Sequence, residues 1–103
     1  MRDYVCIGEV PAEEDCAQLG TDGYHERAKK ECRAFINQLR RMFGPEPEGA
    51  RLIVKSNPHD FGNYLDVQCV YDEDDEAAAE YAYKCESDMP MTWDDEAKAE
   101  LAL

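Results

Sequence analysis

The segment Tyr64-Leu65-Asp66-Val67-Gln68-Cys69-Val70-Tyr71 places an apolar side chain at every second residue from Leu65 onward. This period of two is typical of a β-strand that buries one face, here the face of Leu65, Val67, Cys69 and Tyr71. A shorter apolar run at residues 51–55 precedes it, so the two runs predict an antiparallel hairpin. The eight residues between them, 56–63, exceed a tight turn and predict a surface loop with a structural or functional role.

The first half of the chain predicts one strand and one long helix. Residues 3–10 carry the apolar run Tyr4-Val5-Cys6-Ile7, and Pro11 ends this strand. Gly44 and Pro45 end the helix predicted for residues 24–43. Apolar side chains recur there at steps of three and four, as on an amphipathic helix, at Ala28, Cys32, Phe35, Leu39 and Met42, widened by Ile36 and Phe43.

The last third predicts two more helices. Residues 77–85 follow an acidic run that complements the positive end of the helix dipole. Thr92 resembles the N-cap of a short C-terminal helix with Trp93, Ala97 and Leu101 on one face. The order β-α-β-β-α-α predicts a single α+β domain over residues 1–103, a three-stranded, mostly antiparallel sheet with helices on one face.

Negative charge is concentrated in the second half of the chain. Residues 59–103 hold 14 of the 24 acidic residues and only two of the 11 basic ones, Lys84 and Lys98. The resulting field repels nucleic acid and anionic membranes, and it attracts proteins whose working surface is basic, above all those that bind DNA or RNA. The sequence therefore predicts a protein partner, with no direct binding of nucleic acid or membrane.

Hydropathy argues against a membrane span or a signal peptide, and cysteine usage indicates a reducing compartment. No apolar run reaches the roughly 18 residues of a membrane span, and the N-terminal residues lack the apolar stretch of a signal peptide. The five cysteines form an odd set without a CxxC pair, so reduced thiols are expected, with Cys32, Cys69 and Cys85 in the core. We therefore expect a cytoplasmic protein.

Two motifs suggest chemistry without specifying it. His59 and Asp60 are adjacent in the predicted loop, but no nucleophile motif accompanies them, and stabilisation of a turn explains them as well. Asp72, Asp74 and Glu76 alternate as calcium ligands do, yet the glycine and the distal glutamate of an EF-hand loop are absent. We therefore expect no enzyme activity, no metal and no cofactor.

The predicted partner-binding surface combines carboxylates with tyrosines. A decoy of nucleic acid needs only a rough row of carboxylates, since DNA presents one negative charge per about 1.7 Å of its axis. Tyrosine adds apolar contact area with a polar tip. The candidate residues are Asp66, Asp72, Glu73, Asp74, Asp75, Glu76, Glu80, Asp94, Asp95 and Glu96, with Tyr64, Tyr81 and Tyr83 as contact anchors. The alternative is a solvated acidic face without a partner.

The long helix has the opposite character. Its basic residues, Arg27, Lys29, Lys30, Arg33, Arg40 and Arg41, outnumber Glu26 and Glu31 by four. Such a face keeps a helix soluble, binds an anion, or pairs with the acidic half of a second copy in a homodimer.

One stretch carries a resemblance to a known class of proteins. Residues Asn57-Pro58-His59-Asp60-Phe61-Gly62-Asn63-Tyr64, continued by Val67-Gln68-Cys69-Val70-Tyr71-Asp72 and the acidic helix, resemble small acidic proteins encoded by bacteriophages and prophages. The resemblance covers about 30 of the 103 residues. Many such proteins inhibit host defence, among them DNA-mimicking antirestriction proteins and anti-CRISPR proteins. The resemblance implies inhibition by occlusion, without catalytic residues.

Three hypotheses follow from the sequence. The first is a non-enzymatic inhibitor that binds a basic nucleic-acid-binding complex of the bacterial host through its acidic half. The second is a salt-sensitive, self-assembling structural or regulatory protein, in which the basic helix of one copy meets the acidic half of another. The third is a small ligand-binding module or enzyme that uses His59 and Asp60.

Overall fold

The computed structural model describes residues 1–11, 21–59 and 62–102. Its elements follow in the order β1 (Arg2–Pro11), α1 (Thr21–Phe43), β2 (Ala50–His59), β3 (Gly62–Asp72), α2 (Glu76–Ser87) and α3 (Asp95–Leu101). The predicted order β-α-β-β-α-α and the α+β class are confirmed. The three strands form an antiparallel sheet of order β1-β3-β2, so the predicted strand over residues 64–71 is the central one.

The hairpin between β2 and β3 is tighter than the sequence predicts. The two strands pair as far as His59 opposite Gly62. The loop predicted over residues 56–63 is therefore wrong, because only residues 60 and 61, which lie outside the described residues, separate the strands. Pro58 is compatible with this pairing because β2 is an edge strand, where a missing N–H donor is tolerated.

One face of the sheet carries the core. Leu65, Val67, Cys69 and Tyr71 are each at most 4% exposed, which confirms the predicted alternation of β3. The buried residues of α1 and α2 belong to the same cluster and pack on this face. On the opposite face, Tyr4 of β1 lies beside Val70 and is 57% exposed.

The apolar stripe of α1 is confirmed in its main part. Ala28, Cys32, Ile36 and Leu39 are buried, and Phe43, four residues after Leu39, continues the stripe. Met42 was expected on this stripe but is 47% exposed. The stripe continues from Leu39 to Phe43, four residues later, whereas Met42, three residues after Leu39, lies to one side of it.

Three thiols lie in the core. Cys32, Cys69 and Cys85, here called the core thiols, are fully buried and unbridged, as predicted. Burial is the main reason that the pKa of each rises to about 11. The core thiols are therefore protonated at neutral pH and act as small apolar packing groups.

Among the described elements, α1 is the one that the C-terminal helix α3 contacts. The N-cap of α3 is Asp94, which accepts a hydrogen bond from the Ala97 backbone, so the predicted cap at Thr92 is wrong. The buried side-chain amide of Gln38 on α1 explains why the cap is Asp94 and not Thr92. It donates a hydrogen bond to the Thr92 carbonyl and accepts one from the Asp94 backbone N–H, so both residues are held outside the helix, before its first turn. Trp93 contacts Phe35 edge to face, with ring centroids 6.2 Å apart.

Across residues 1–11, 21–59 and 62–102, no helix has the length and apolar character to cross a bilayer.

Candidate interaction surface

The carboxylates of the second half separate into two groups with different surroundings. The first group lies on α3 and surrounds Arg41 of α1. The Arg41 guanidinium donates two hydrogen bonds to Asp94, at 2.7 and 3.0 Å. It also lies 3.2 Å from a carboxylate oxygen of Glu96 and 3.9 Å from one of Glu100. One cation thus contacts three acids, and these ion pairs join α3 to α1.

The electrostatics of Asp94 reflect this pairing. The hydrogen bond from Arg41, followed by the one from the Ala97 backbone, holds the pKa of Asp94 below its usual value. Asp94 was expected to contribute to a partner-binding field. The structure instead gives it two internal roles, as an N-cap and as the partner of Arg41.

The second group lies on the turn between β3 and α2 and along α2. Asp75 caps α2 by accepting from the Ala78 backbone at 3.2 Å. Asp72 accepts from the Asp74 backbone, which shapes the turn. The terminal ammonium of Met1 lies 3.9 Å from Asp72 and 3.6 Å from Asp74, distances at which an exposed pair contributes little.

Several carboxylates of this second group have no internal cation. Within the described part of the chain, no base lies within salt-bridge distance of Glu73, Glu76, Glu80 or Asp88. With the weakly paired Asp74, these residues are called the α2 acidic surface. All five are exposed.

Lys84 does not neutralise this surface. It is the one base of α2, and its ammonium lies 5.8 Å from the centroid of the Phe43 ring, in a cation–π arrangement. No carboxylate in the part of the chain that the structure describes lies within salt-bridge distance of it. The charge of the α2 acidic surface is therefore directed to solvent.

Of the three tyrosines predicted as contact anchors, Tyr83 is the exposed one. Its side chain is 52% exposed and lines a shallow groove on α2 with Glu76, Glu80 and Asp88. The Tyr83 hydroxyl is hydrogen-bonded at 3.1 Å to the hydroxyl of buried Tyr71, and the two rings meet at an interplanar angle of 66°. These contacts hold one edge of the Tyr83 ring against the body of the protein.

Two other predicted contact residues belong to the interior. Tyr81 is 8% exposed, and its hydroxyl donates to the Gly44 carbonyl at 2.8 Å, so it is a core residue and the expectation of a surface anchor is wrong. Burial is the main reason that the pKa of its phenol is raised. Asp66 is 3% exposed, because it lies in the central strand between Glu9 and Lys55 of the flanking strands, so it is not part of an outer acidic surface. Tyr64 is half-buried on the same sheet face.

Asp66 belongs to a cluster that the sequence did not indicate. Cys6, Glu9 and Asp66 bring one potential ligand atom each within 4.8 Å of one another, and within the described ranges this is the one such group of three. Burial, followed by the charges of Asp66 and Glu9, raises the pKa of the Cys6 thiol. Residues 6 and 66 meet only through the pairing of β1 with β3, and no local motif predicts that register. The cluster provides a mixed thiol and carboxylate donor set.

Some of the basic residues of α1 form ion pairs within the fold. Arg40 makes a two-pronged contact with Glu46 at 2.8 and 3.0 Å, and Arg41 binds α3. Lys30 and Arg33 make no ion pair within the described residues, and they line a second groove with Trp93 between α1 and α3. Arg27 and Lys29 make only exposed contacts with Glu31 and Glu26, at 3.7 and 3.6 Å, so the fold pairs off the last turn of the predicted basic face and leaves the rest exposed.

The remaining candidate site lies outside the described residues. Asp60 is not described, and of His59 only its place at the end of β2 is known. The hypothesis of a ligand-binding or catalytic pair at these positions stays a prediction.

Comparison with known proteins finds no family model, no curated protein and no solved structure that matches the chain.

Proposed function

We propose that the chain is a non-enzymatic inhibitor that binds a basic, nucleic-acid-binding surface of a bacterial defence complex and excludes the nucleic acid from it. The α2 acidic surface carries this proposal, because its carboxylates lie exposed and, apart from the weak contact of Asp74 with the terminal ammonium, have no cation within salt-bridge distance among the described residues. Three of them line one groove. The resemblance of the hairpin and the acidic helix to phage-encoded proteins suggests the biological class of the partner.

The mechanism is electrostatic attraction followed by occlusion. A net charge of −13, with the α2 acidic surface uncompensated, steers the molecule toward a positive groove and raises the association rate. Once bound, the carboxylates occupy positions where phosphates would bind, and Tyr83 adds an apolar contact beside them. No bond is made or broken, so inhibition is reversible and competes with nucleic acid.

Capture of partners from a bacterial lysate tests the proposal. The chain is immobilised, exposed to lysate at low salt and again at about 0.5 M salt, where the Debye length is only a few ångströms. The expected result is capture at low salt of a nucleic-acid-binding complex that added DNA or RNA displaces. A captured protein that nucleic acid does not displace contradicts the mechanism.

Variants of equal charge locate the binding surface. Asp74→Asn, Glu76→Gln and Glu80→Gln together remove three charges from the α2 acidic surface without touching the Asp75 cap. The control combines Glu9→Gln, Glu48→Gln and Glu86→Gln, which lie outside the α2 acidic surface and form no ion pair in the described ranges. We expect the association rate to fall on the order of tenfold for the first triple variant only. Equal rates for both would contradict the assignment.

Self-association is the second candidate function, and the Lys30 and Arg33 patch favours it. These two bases have no ion pair in the described part of the fold and are complementary in sign to the α2 acidic surface of a second copy. Sedimentation at increasing salt tests it, because only self-association predicts a mass that falls toward that of the monomer. A constant monomeric mass at low salt excludes this candidate.

A further inference from the structure

We infer that the groove on α2 receives an arginine side chain from a basic protein segment. The inference rests on the proposed function, and it names the residue type through which the α2 acidic surface contacts its partner. It depends on the held position of Tyr83 beside two carboxylates, and not on charge alone.

The groove offers the surface that a long cationic side chain needs. It measures about 540 Å3 and is lined by Glu76, Ala79, Glu80, Tyr83, Lys84, Ser87 and Asp88. Ala79 and the Tyr83 ring provide apolar area for the methylene stem of an incoming side chain. Glu76 and Glu80, one helical turn apart, provide carboxylates for its charged end. Lys84 also lines the groove, but its ammonium lies over the Phe43 ring, and three carboxylates of the lining outnumber this one base.

Tyr83 is held in place before any partner binds. Its hydroxyl is bonded to that of Tyr71, which is also 3.4 Å from a carboxylate oxygen of Asp3 on β1. The two rings lie 5.7 Å apart in an edge-to-face arrangement. Because one edge of the Tyr83 ring is fixed while half of the side chain stays exposed, binding requires little further ordering of this side chain.

These features favour arginine over lysine. A guanidinium is planar, stacks on an aromatic face and donates two parallel hydrogen bonds to a carboxylate, whereas a lysine ammonium is a compact and strongly hydrated charge. The combination of an exposed aromatic ring with two carboxylates one turn apart matches the first chemistry. A purely diffuse acidic field would not distinguish the two residues.

Peptides of equal charge test the inference. A short peptide of alternating glycine and arginine and its lysine counterpart are titrated into the isotope-labelled chain, and dissociation constants are obtained from NMR shifts of α2 amides. We expect the arginine peptide to bind about two- to fivefold more tightly, the range that a cation–π contact at an exposed site supports. Equal affinity for both peptides, or binding of neither, overturns the inference.

Three variants assign the preference to the groove. Tyr83→Leu should abolish the preference for arginine. Tyr83→Phe keeps the ring but loses the hydrogen bond to Tyr71, so it should retain the preference while binding both peptides more weakly. Glu80→Gln should weaken binding more than Glu86→Gln, a matched loss of one exposed carboxylate on the same helix but outside the groove. A preference that survives Tyr83→Leu, or equal effects of the two glutamate variants, overturns the assignment.

The inference and the proposed function fail in different ways. Should Tyr83→Leu and Glu80→Gln still capture a complex that nucleic acid displaces, with unchanged affinity, the arginine site is wrong and the inhibitor function stands. Should the parent chain capture no such complex while the arginine peptide binds with the expected preference, the groove is correct and the proposed function is wrong.

Discussion

Gly49 lies where the sheet meets the start of α2, and a single methyl group there should destabilise the fold. A Cβ added at this position would lie 2.6 Å from Oδ2 of Asp75 and 3.1 Å from the Cβ of Ala78. The first distance is shorter than any normal contact, so the Asp75 side chain must move. Because Asp75 is the N-cap of α2, Gly49→Ala combines crowding with the loss of a capping hydrogen bond.

The size of the effect follows from these two causes. Overpacking a well-packed site typically costs about 1–3 kcal/mol, and the loss of an acidic N-cap costs about 0.5–2 kcal/mol. The two overlap, because moving Asp75 relieves part of the crowding, and alanine offsets about 0.4–1 kcal/mol by restricting the unfolded chain. We therefore expect the free energy of unfolding to fall by about 1–2 kcal/mol. With a urea m-value of about 1–3 kcal/mol/M, the midpoint should shift downward by roughly 1 M.

Urea unfolding followed by circular dichroism measures this change, with two matched comparisons. Gly8→Ala is the control, because a Cβ there would meet only the Phe35 ring at 3.8 Å, an ordinary contact. In an Asp75→Ala background the crowding with Asp75 is absent, so adding Gly49→Ala should cost less than it does in the parent. A Gly49→Ala variant as stable as the parent, or an equal cost in both backgrounds, would refute the reasoning.

Three further predictions concern the interior. Tyr81→Phe removes the hydrogen bond to the Gly44 carbonyl and should lower the free energy of unfolding by about 1 kcal/mol in the same urea assay. Burial alone would raise the pKa of Glu46, but the hydrogen bonds from Arg40 and the backbone lower it overall, so the stability it contributes should be lost as the pH falls below 4.5, its ordinary value. Glu46→Gln should therefore flatten the acid limb of the stability–pH curve, and an unchanged limb would contradict the pairing. The core thiols, with pKa values of about 11, should react with a thiol reagent at pH 8 only after unfolding, as measured in a variant that combines Cys6→Ser and Cys16→Ser; rapid reaction of the native form would contradict their burial.

Periodicity in the sequence was sufficient to predict the elements that bury a regular stripe. The alternation of β3 and the three- and four-residue steps of α1 both report which side chains face the core, and the order of elements then fixes the fold class. The errors fall at the boundaries of elements. Residues 56–63 contain Pro58 and polar residues and so resemble a loop, but backbone pairing at a sheet edge does not require apolar side chains.

The charge of the candidate surface was predictable from the sequence, but the ion pairs that its carboxylates form were not. The acidic character of the β3–α2 turn is local and could be read directly, whereas the compensation of Asp94 by Arg41 joins residues 53 positions apart. The assignment of Tyr81 could have been avoided from the sequence alone. Residues two apart on a helix point to nearly opposite sides, so Tyr81 and Tyr83 cannot both face a partner.

The strand order β1-β3-β2 has a consequence for synthesis of the chain. Among the described strands, β1 pairs with β3 and not with β2, and residues 12–61 are translated between β1 and β3. At about 5–20 residues per second, β1 spends roughly 3–10 s without its pairing partner. Until β3 has been made, the backbone groups of β1 therefore lack the hydrogen-bonding partners that they have in the folded sheet.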